Sequence, residues 1–282
     1  MNILCIGAHP DDVEVSMGAT AALYAQRGDH VVFASVTDGC RGHFAPEYRT
    51  DPAGLARRRH QEALQSVATI GAEYRCLGIA DGEVYITPAA TEAMIRLIRS
   101  VGPKGQGPDV VFLNRPNDYH RDHRYTARLV LDATYMLTVP TMCPDTPHLA
   151  RMPVFAYWYD DFTEGGAFRP DVVVPVDDAL DAKVQMICAH ASQFFEWLPF
   201  NAGILDQVPP DADARREWIR IRYEQRAAEL YEKMAPALIR LSGLVPQRYA
   251  EAFQISEYGR QPTTEELYTL FPIPKPTLDA HA

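Results

Sequence analysis

Short apolar runs, each closed by a polar turn and followed by a helical pattern, constrain this chain more than any other feature. Residues 3–8 form a continuous apolar run with Gly7 near its end, which reads as a buried strand. After the polar turn His9-Pro10-Asp11-Asp12, apolar Val15, Ala19, Ala22 and Leu23 recur at helical spacing over residues 14–27, and Gly28 supplies a stop. Residues 30–36 read as a second buried strand. A strand, a helix and a strand in so short a span open a parallel sheet.

The same alternation continues. Residues 53–70 and 89–100 read as helices, with a strand at 74–77 between them. The glycine/proline linker at 102–108 stops the second helix. A central strand follows at 110–113, then a polar loop to residue 123 and a helix to about residue 135. Beyond a proline-rich stretch at 140–153 the pattern loosens, with strands expected at 154–159 and 172–176 and helices at 177–191 and 212–234. The tail from Phe271, with Pro272, Pro274 and Pro276, reads as extended or frayed. The expectation is an α/β chain with a mostly parallel sheet: residues 1–150 form the catalytic core, and residues 151–282 complete the same domain and the pocket.

Charge removes two classes of partner. The formal net charge of -10 gives no electrostatic advantage toward phosphate backbones or anionic lipid, so neither nucleic acid nor membrane is expected. Cys5, Cys40, Cys76, Cys143 and Cys188 include no CxxC pair, which argues against a disulfide framework and a cysteine zinc site. The first residues lack a basic stretch and no segment is long and apolar enough to span a bilayer, so a cytoplasmic protein is expected.

Two polar clusters each follow an expected buried strand. One is Ala8-His9-Pro10-Asp11-Asp12-Val13-Glu14, the other Asn117-Asp118-Tyr119-His120-Arg121-Asp122-His123. Ligands of open α/β sheets bind beyond the carboxyl ends of the strands, so neighbouring strands would bring both clusters to one crevice. Histidine and carboxylate suit a catalytic zinc that keeps one open position for water. Consecutive aspartates in a turn diverge, so one can ligate while the other serves as general base. The residues alone do not say which does which. Either aspartate could instead only cap the helix. His120, three residues before His123, could face the same site and donate a hydrogen bond to a developing oxyanion as imidazolium.

At these residues the chain resembles the LmbE-like, or PIG-L, family of zinc-dependent deacetylases. Residues 8–14 are similar to its AHPDDxE signature, and His120-Arg121-Asp122-His123 to its HxDH motif. Thr37-Asp38-Gly39, Arg59-His60-Gln61-Glu62-Ala63, Gly78-Ile79-Ala80-Asp81-Gly82, Lys183 with His190-Ala191-Ser192-Gln193, and Tyr249-Ala250-Glu251-Ala252-Phe253 resemble further family segments in the same order. The resemblance implies a Rossmann-like fold with helices on both faces of the sheet, and zinc-dependent removal of an N-acetyl group from an amino-sugar small molecule. It implies His9, Asp12 and His123 as metal ligands, Asp11 as base and His120 at the oxyanion. It places Arg59 near the substrate acyl group or behind Asp11, and it implies assembly into homo-oligomers. Cys40-Arg41-Gly42-His43 and Val15-Ser16-Met17-Gly18 depart from the family pattern, which puts the substrate loop outside what is carried over.

Other residues carry weaker expectations. Arg57 and Arg58 read as a solvated helix face. Asp81 either shapes a turn or touches a sugar hydroxyl. Arg41 and His43 lie on a loop over the site, where specificity tends to reside. The aromatic runs at 155–159 and 194–198 read first as core, with a subunit interface or sugar-stacking wall as rivals. His190 is either a core histidine or part of the pocket wall. A zinc amidase cleaving a larger amide, such as a thiol-sugar conjugate, is the nearest alternative function. A sugar- or nucleotide-binding module without hydrolysis is the other, and the lack of a Gly-x-Gly-x-x-Gly turn after the first strand counts against dinucleotides.

Overall fold

The computed structural model describes residues 1–243 and 247–275. In chain order its main elements are β1 (Asn2–Gly7), α1 (Asp12–Gln26), β2 (His30–Thr37), α2 (Glu47–Thr50), α3 (Pro52–Ala68), β3 (Glu73–Ile79), α4 (Pro88–Arg99) and β4 (Val110–Leu113). They continue with α5 (Arg121–Thr134), β5 (Val154–Trp158), β6 (Val172–Pro175), α6 (Leu180–Ala189), α7 (Leu198–Asn201), α8 (Ala212–Ser242), β7 (Ala250–Ile255) and α9 (Thr264–Leu270). The strands form one sheet in the order β3-β2-β1-β4-β5-β7-β6. The first five are parallel, and β7 runs antiparallel between β5 and β6. The order reverses between β1 and β4, the place where open α/β sheets bind ligands.

Side-chain alternation divides the core into two layers. Ile3 and Cys5 of β1 pack with Phe33, Phe112 and Phe253 on one face, and Leu4 and Ile6 pack with Val32, Ile95, Ile98 and Val130 on the other. Both faces are therefore covered, which is why these strands read as unbroken apolar runs. Helix starts follow local chemistry: Asp51 and Thr87 accept from the Gly54 and Ala90 amides, each just before a proline in the first turn.

Some sequence expectations need correction. Phe271 does not fray: it is fully buried, with ring centroids 5.8 Å from Phe112 and 6.0 Å from Phe253. Ile273 is buried with it, whereas Pro276 lies outside the described residues. Helix α8 runs beyond residue 234 to Ser242, through Pro236. The helix expected from residue 177 opens as a short 3-10 turn and becomes α-helical at Leu180. Strand β7 escaped the pattern analysis. Its Glu251 is buried, because the kink at Met17 in α1 frees the Ala19 and Thr20 amides to donate to that carboxylate at 3.3 and 2.7 Å, and Lys183 Nζ lies 2.5 Å from it.

Candidate metal centre

The loops after β1 and β4 converge on one cavity of about 340 Å³, lined by His9, Asp11, Asp12, Arg41, Arg59, Asp81, His120 and His123 among others. The first cluster reaches it because the chain turns sharply after Gly7. A Cβ on Gly7 would stand 2.6 Å from the Asp12 Cβ, so only glycine lets Asp12 fold back over the end of β1. Asp12 Oδ2 then accepts from the Ala8 and His9 amides at 2.7 and 2.9 Å. The second cluster is set by the start of α5, where the His120 side chain accepts from the Asp122 amide.

Three side chains turn donor atoms toward one point. His9 Nδ1 lies 3.3 Å from His123 Nε2, Asp12 Oδ1 lies 3.4 Å from His123 Nε2, and Asp12 Oδ2 lies 3.7 Å from His9 Nδ1. Asp12 thus presents one oxygen to each imidazole, and donor atoms of His9, His120 and His123 also fall within 4.8 Å of one another. The far nitrogens of both ligand-like histidines meet carboxylates. His9 Nε2 is 3.2 Å from Asp81 and 3.6 Å from Asp122, and His123 Nδ1 is 3.0 Å from Asp118. Such carboxylates fix the tautomer and the ring orientation of metal-ligating histidines. The donor set, an Asp and two oriented imidazoles, fits a divalent metal with open positions.

The charges say the same. Burial opposes ionisation of His9 and His123, yet the aspartates outweigh it: His9 is held well above its usual value and His123 is lifted to about 10. Burial likewise opposes the Asp81 carboxylate, but His9 draws it down to about 2. A nest of carboxylates that pulls protons onto imidazoles calls for positive charge at this point, which a divalent cation supplies.

Asp11 behaves differently from Asp12. It precedes α1 but makes no side-chain capping bond among the described residues, so the capping explanation fails for it. Its Oδ1 receives Arg59 Nη2 at 3.0 Å, and burial raises its pKa while Arg59 pulls the other way. Arg59 is buried and lies so close over Gly39 (φ 67°) that a Cβ there would sit 2.5 Å from its guanidinium. His120 is pushed below its usual value by burial and by the neighbouring His9 and His123. With Nδ1 accepting from the Asp122 amide at 3.2 Å, the neutral ring keeps its proton on Nε2. A neutral His120 ring would thus donate from Nε2.

The remaining expectations sort by contact. Asp81, considered for a sugar hydroxyl, lines the cavity but spends Oδ1 on His9, and Oδ2 accepts from the Arg41 amide at 3.3 Å. Arg41 stands at the exposed mouth, paired with Glu83. Arg57 is exposed, but Arg58 is not a free solvated residue: it forks onto Glu196 at 2.5 and 2.8 Å and bonds Glu62 at 3.1 Å. His43 meets the same Glu196 at 2.8 Å. Phe155, Tyr157 and Trp158 are core, whereas Trp197 faces the cavity. His190 is fully buried, its Nε2 2.8 Å from Glu14, whose carboxylate also receives Ser66 Oγ at 2.6 Å. Sequence reasoning assigned no role to Asp118, Asp122, Glu14 or Gln193. Asp118 and Asp122 sat within the quoted second cluster, where a carboxylate beside each histidine was the available signal.

The family described as GlcNAc-PI de-N-acetylase, PIG-L, matches residues 4–134, a span that contains every imidazole and carboxylate of the metal centre. Over that span the chain is similar to the PIG-L family. A diacetylchitobiose deacetylase of Thermococcus kodakarensis is 25% identical over 213 residues, covering 70% of this chain and 74% of that protein. An N,N'-diacetylchitobiose deacetylase of Pyrococcus horikoshii superposes with a TM-score of 0.68 at 22% identity, over 96% of this chain and 86% of the other. GalB, a 4-carboxy-2-hydroxymuconate hydratase of Pseudomonas putida KT2440, superposes with the same TM-score of 0.68 at 19% identity, over 93% and 98% of the two chains. The PIG-L fold therefore carries more than one reaction, and the site must decide which. Gln193, Trp197 and Leu198, which close the cavity, lie beyond the residues that the PIG-L match covers.

Proposed function

We propose that the protein is a zinc-dependent N-deacetylase acting on an N-acetylated amino-sugar small molecule, with His9, Asp12 and His123 as the metal ligands. The observation that carries this reading is Asp11: a carboxylate beside the donor set, free of any capping role and held by buried Arg59. A bound zinc would supply positive charge for the acyl oxygen and acidify water at its open position. Asp11 takes the proton from the attacking water and returns it to the departing amine, which leaves only once protonated. His120 Nε2–H donates to the acyl oxygen as negative charge develops there. Arg59 fixes the direction of the Asp11 carboxylate. We further read the protein as cytoplasmic, in keeping with its five free cysteines, and as a homo-oligomer.

Acetate release from N-acetylglucosamine derivatives, abolished by a chelator and restored by zinc, is the expected result. Asp11→Asn should lower kcat by about 10²- to 10⁴-fold while zinc stays bound. Full activity in that variant removes Asp11 as the base. Zinc-loaded protein that releases no acetate overturns the reaction, and because GalB shares the fold, a hydratase assay then comes first.

A further inference from the structure

The cavity has two unlike sides. Histidines and aspartates make one. The other is made by Trp197 and Leu198, where the π-helical turn Ser192–Trp197 passes into α7. π-Helical turns are uncommon and concentrate at functional sites. Trp197 is one end of an aromatic stack. Its ring centroid is 6.1 Å from Phe200 at 30°, Phe200 is 4.2 Å from Phe44 at 17°, and Phe44 is 5.0 Å from His43 at 12°. Leu198 and Phe200 are exposed, at 38% and 47%, so apolar surface continues outward from the cavity wall.

The polar groups beside this stack are already engaged. Glu196 is held by both terminal nitrogens of Arg58 and by His43 Nε2. Gln193 Nε2 donates to the Gly42 carbonyl at 3.0 Å. These bonds pin the loop carrying Phe44 to the segment carrying Phe200, so the shelf is formed in advance. A subsite for a second sugar ring needs free donors and acceptors along its edge. This one offers Trp197 and Leu198 at the cavity wall and the edges of the stacked rings beyond them.

We propose that the shelf of Trp197, Leu198, Phe200 and Phe44 binds an apolar group carried by the substrate, so that the substrate class is a hydrophobic glycoside of an N-acetylated amino sugar. This rests on the deacetylase reading above and narrows it. The sugar places its acetamido group at Asp11 and His120, and its apolar substituent leaves the cavity over Trp197 toward Phe200. Surface this apolar, continuous with a reactive cavity, is suited to taking part of the ligand out of water.

The test compares acetate release from methyl and phenyl N-acetylglucosaminides, both anomers, by zinc-loaded wild type and by Phe200→Leu and Phe200→Ser. The expected preference in kcat/KM for the phenyl glycoside is about 10- to 100-fold. Phe200→Leu keeps most of it and Phe200→Ser brings the ratio toward one, with melting temperatures confirming that both variants fold. A wild-type ratio near one, or an unchanged ratio in Phe200→Ser, overturns the proposal. If neither glycoside releases acetate, the deacetylase reading has failed, and calorimetric binding of the two glycosides decides the shelf: tighter phenyl binding by tenfold or more supports it, and equal or absent binding overturns it. A Phe200→Ser variant that dissociates in sedimentation, with a wild-type ratio near one, makes the face a subunit interface instead.

Discussion

Asp118 offers the sharpest check on the metal centre, because its side chain reaches the metal-ligand set through His123. Its Oδ2 lies 3.0 Å from His123 Nδ1, and its Oδ1 accepts from the His120 amide at 2.7 Å. The first bond turns Nε2 of His123 toward His9 and Asp12 and makes that nitrogen a better donor. Removing such a partner typically weakens metal binding about 10- to 100-fold, equivalent to about 1.4–2.7 kcal/mol. Asp118→Ala should fall in that range. Asp118→Asn keeps an oxygen that can accept from Nδ1–H while losing the charge, so it should fall between wild type and the alanine variant. Competition with a chelator of known zinc affinity reads the dissociation constants directly, without needing a substrate. Equal affinity in all three proteins would show that His123 does not bind metal through Nε2, and the ligand assignment would have to be abandoned.

Arg59→Met removes the charge that opposes burial at Asp11. The Asp11 carboxylate, already raised by burial, should rise further, so the acid limb of kcat/KM moves to higher pH; a limb that stays in place refutes the pairing. Lys183→Met leaves Glu251 charged and buried without its counter-ion and should cost about 3–5 kcal/mol in urea unfolding, whereas a loss below about 1 kcal/mol would show that the carboxylate finds relief elsewhere. Burial opposes the charges of both Glu14 and His190, but each holds the other: Glu14 is lowered and His190 raised. The Glu14 contribution is present above its unfolded pKa and lost as pH falls through the lowered value. That of His190 is present below its unfolded pKa and lost as pH rises through the raised value. The melting-temperature gap between wild type and Glu14→Gln/His190→Gln should therefore be widest between about pH 4.3 and 6.5, and a gap independent of pH would contradict the ion pair.

The parallel half of the sheet was legible because each strand is buried on both faces and so appears as an unbroken apolar run. Residues 3–6 and 110–113 are wholly buried, and the pattern found them to within a residue or two. Strand β7 breaks that rule. Ala250-Glu251-Ala252 places a charge near the start of the strand, and the charge is tolerated only because Lys183 from α6 and two amides from α1 reach it. No local pattern can announce a partner 68 residues away. Phe271 was misread for a related reason: the prolines around it say how the backbone runs, while the aromatic contacts that bury it come from β4 and β7.

The site divides along the same line. His9 and His123 were legible as donors because each follows a strand end, and strand ends converge by topology. Their supporting carboxylates were harder, since Asp81 reads as a turn residue beside Gly82 until His9 Nε2 is found 3.2 Å away. Asp11 shows the reverse case. From sequence it could have been a helix cap, and that possibility falls away only when its carboxylate is found on Arg59, 48 residues along the chain. Spacing identifies which groups can be brought together. The pairing that would make one aspartate a ligand and its neighbour a base depends on what α3 and the loop before α5 place behind each of them. For that reason a substitution at Asp118 or Arg59, neither of which is assigned to bind the metal, tests the assignment more severely than a substitution at a ligand.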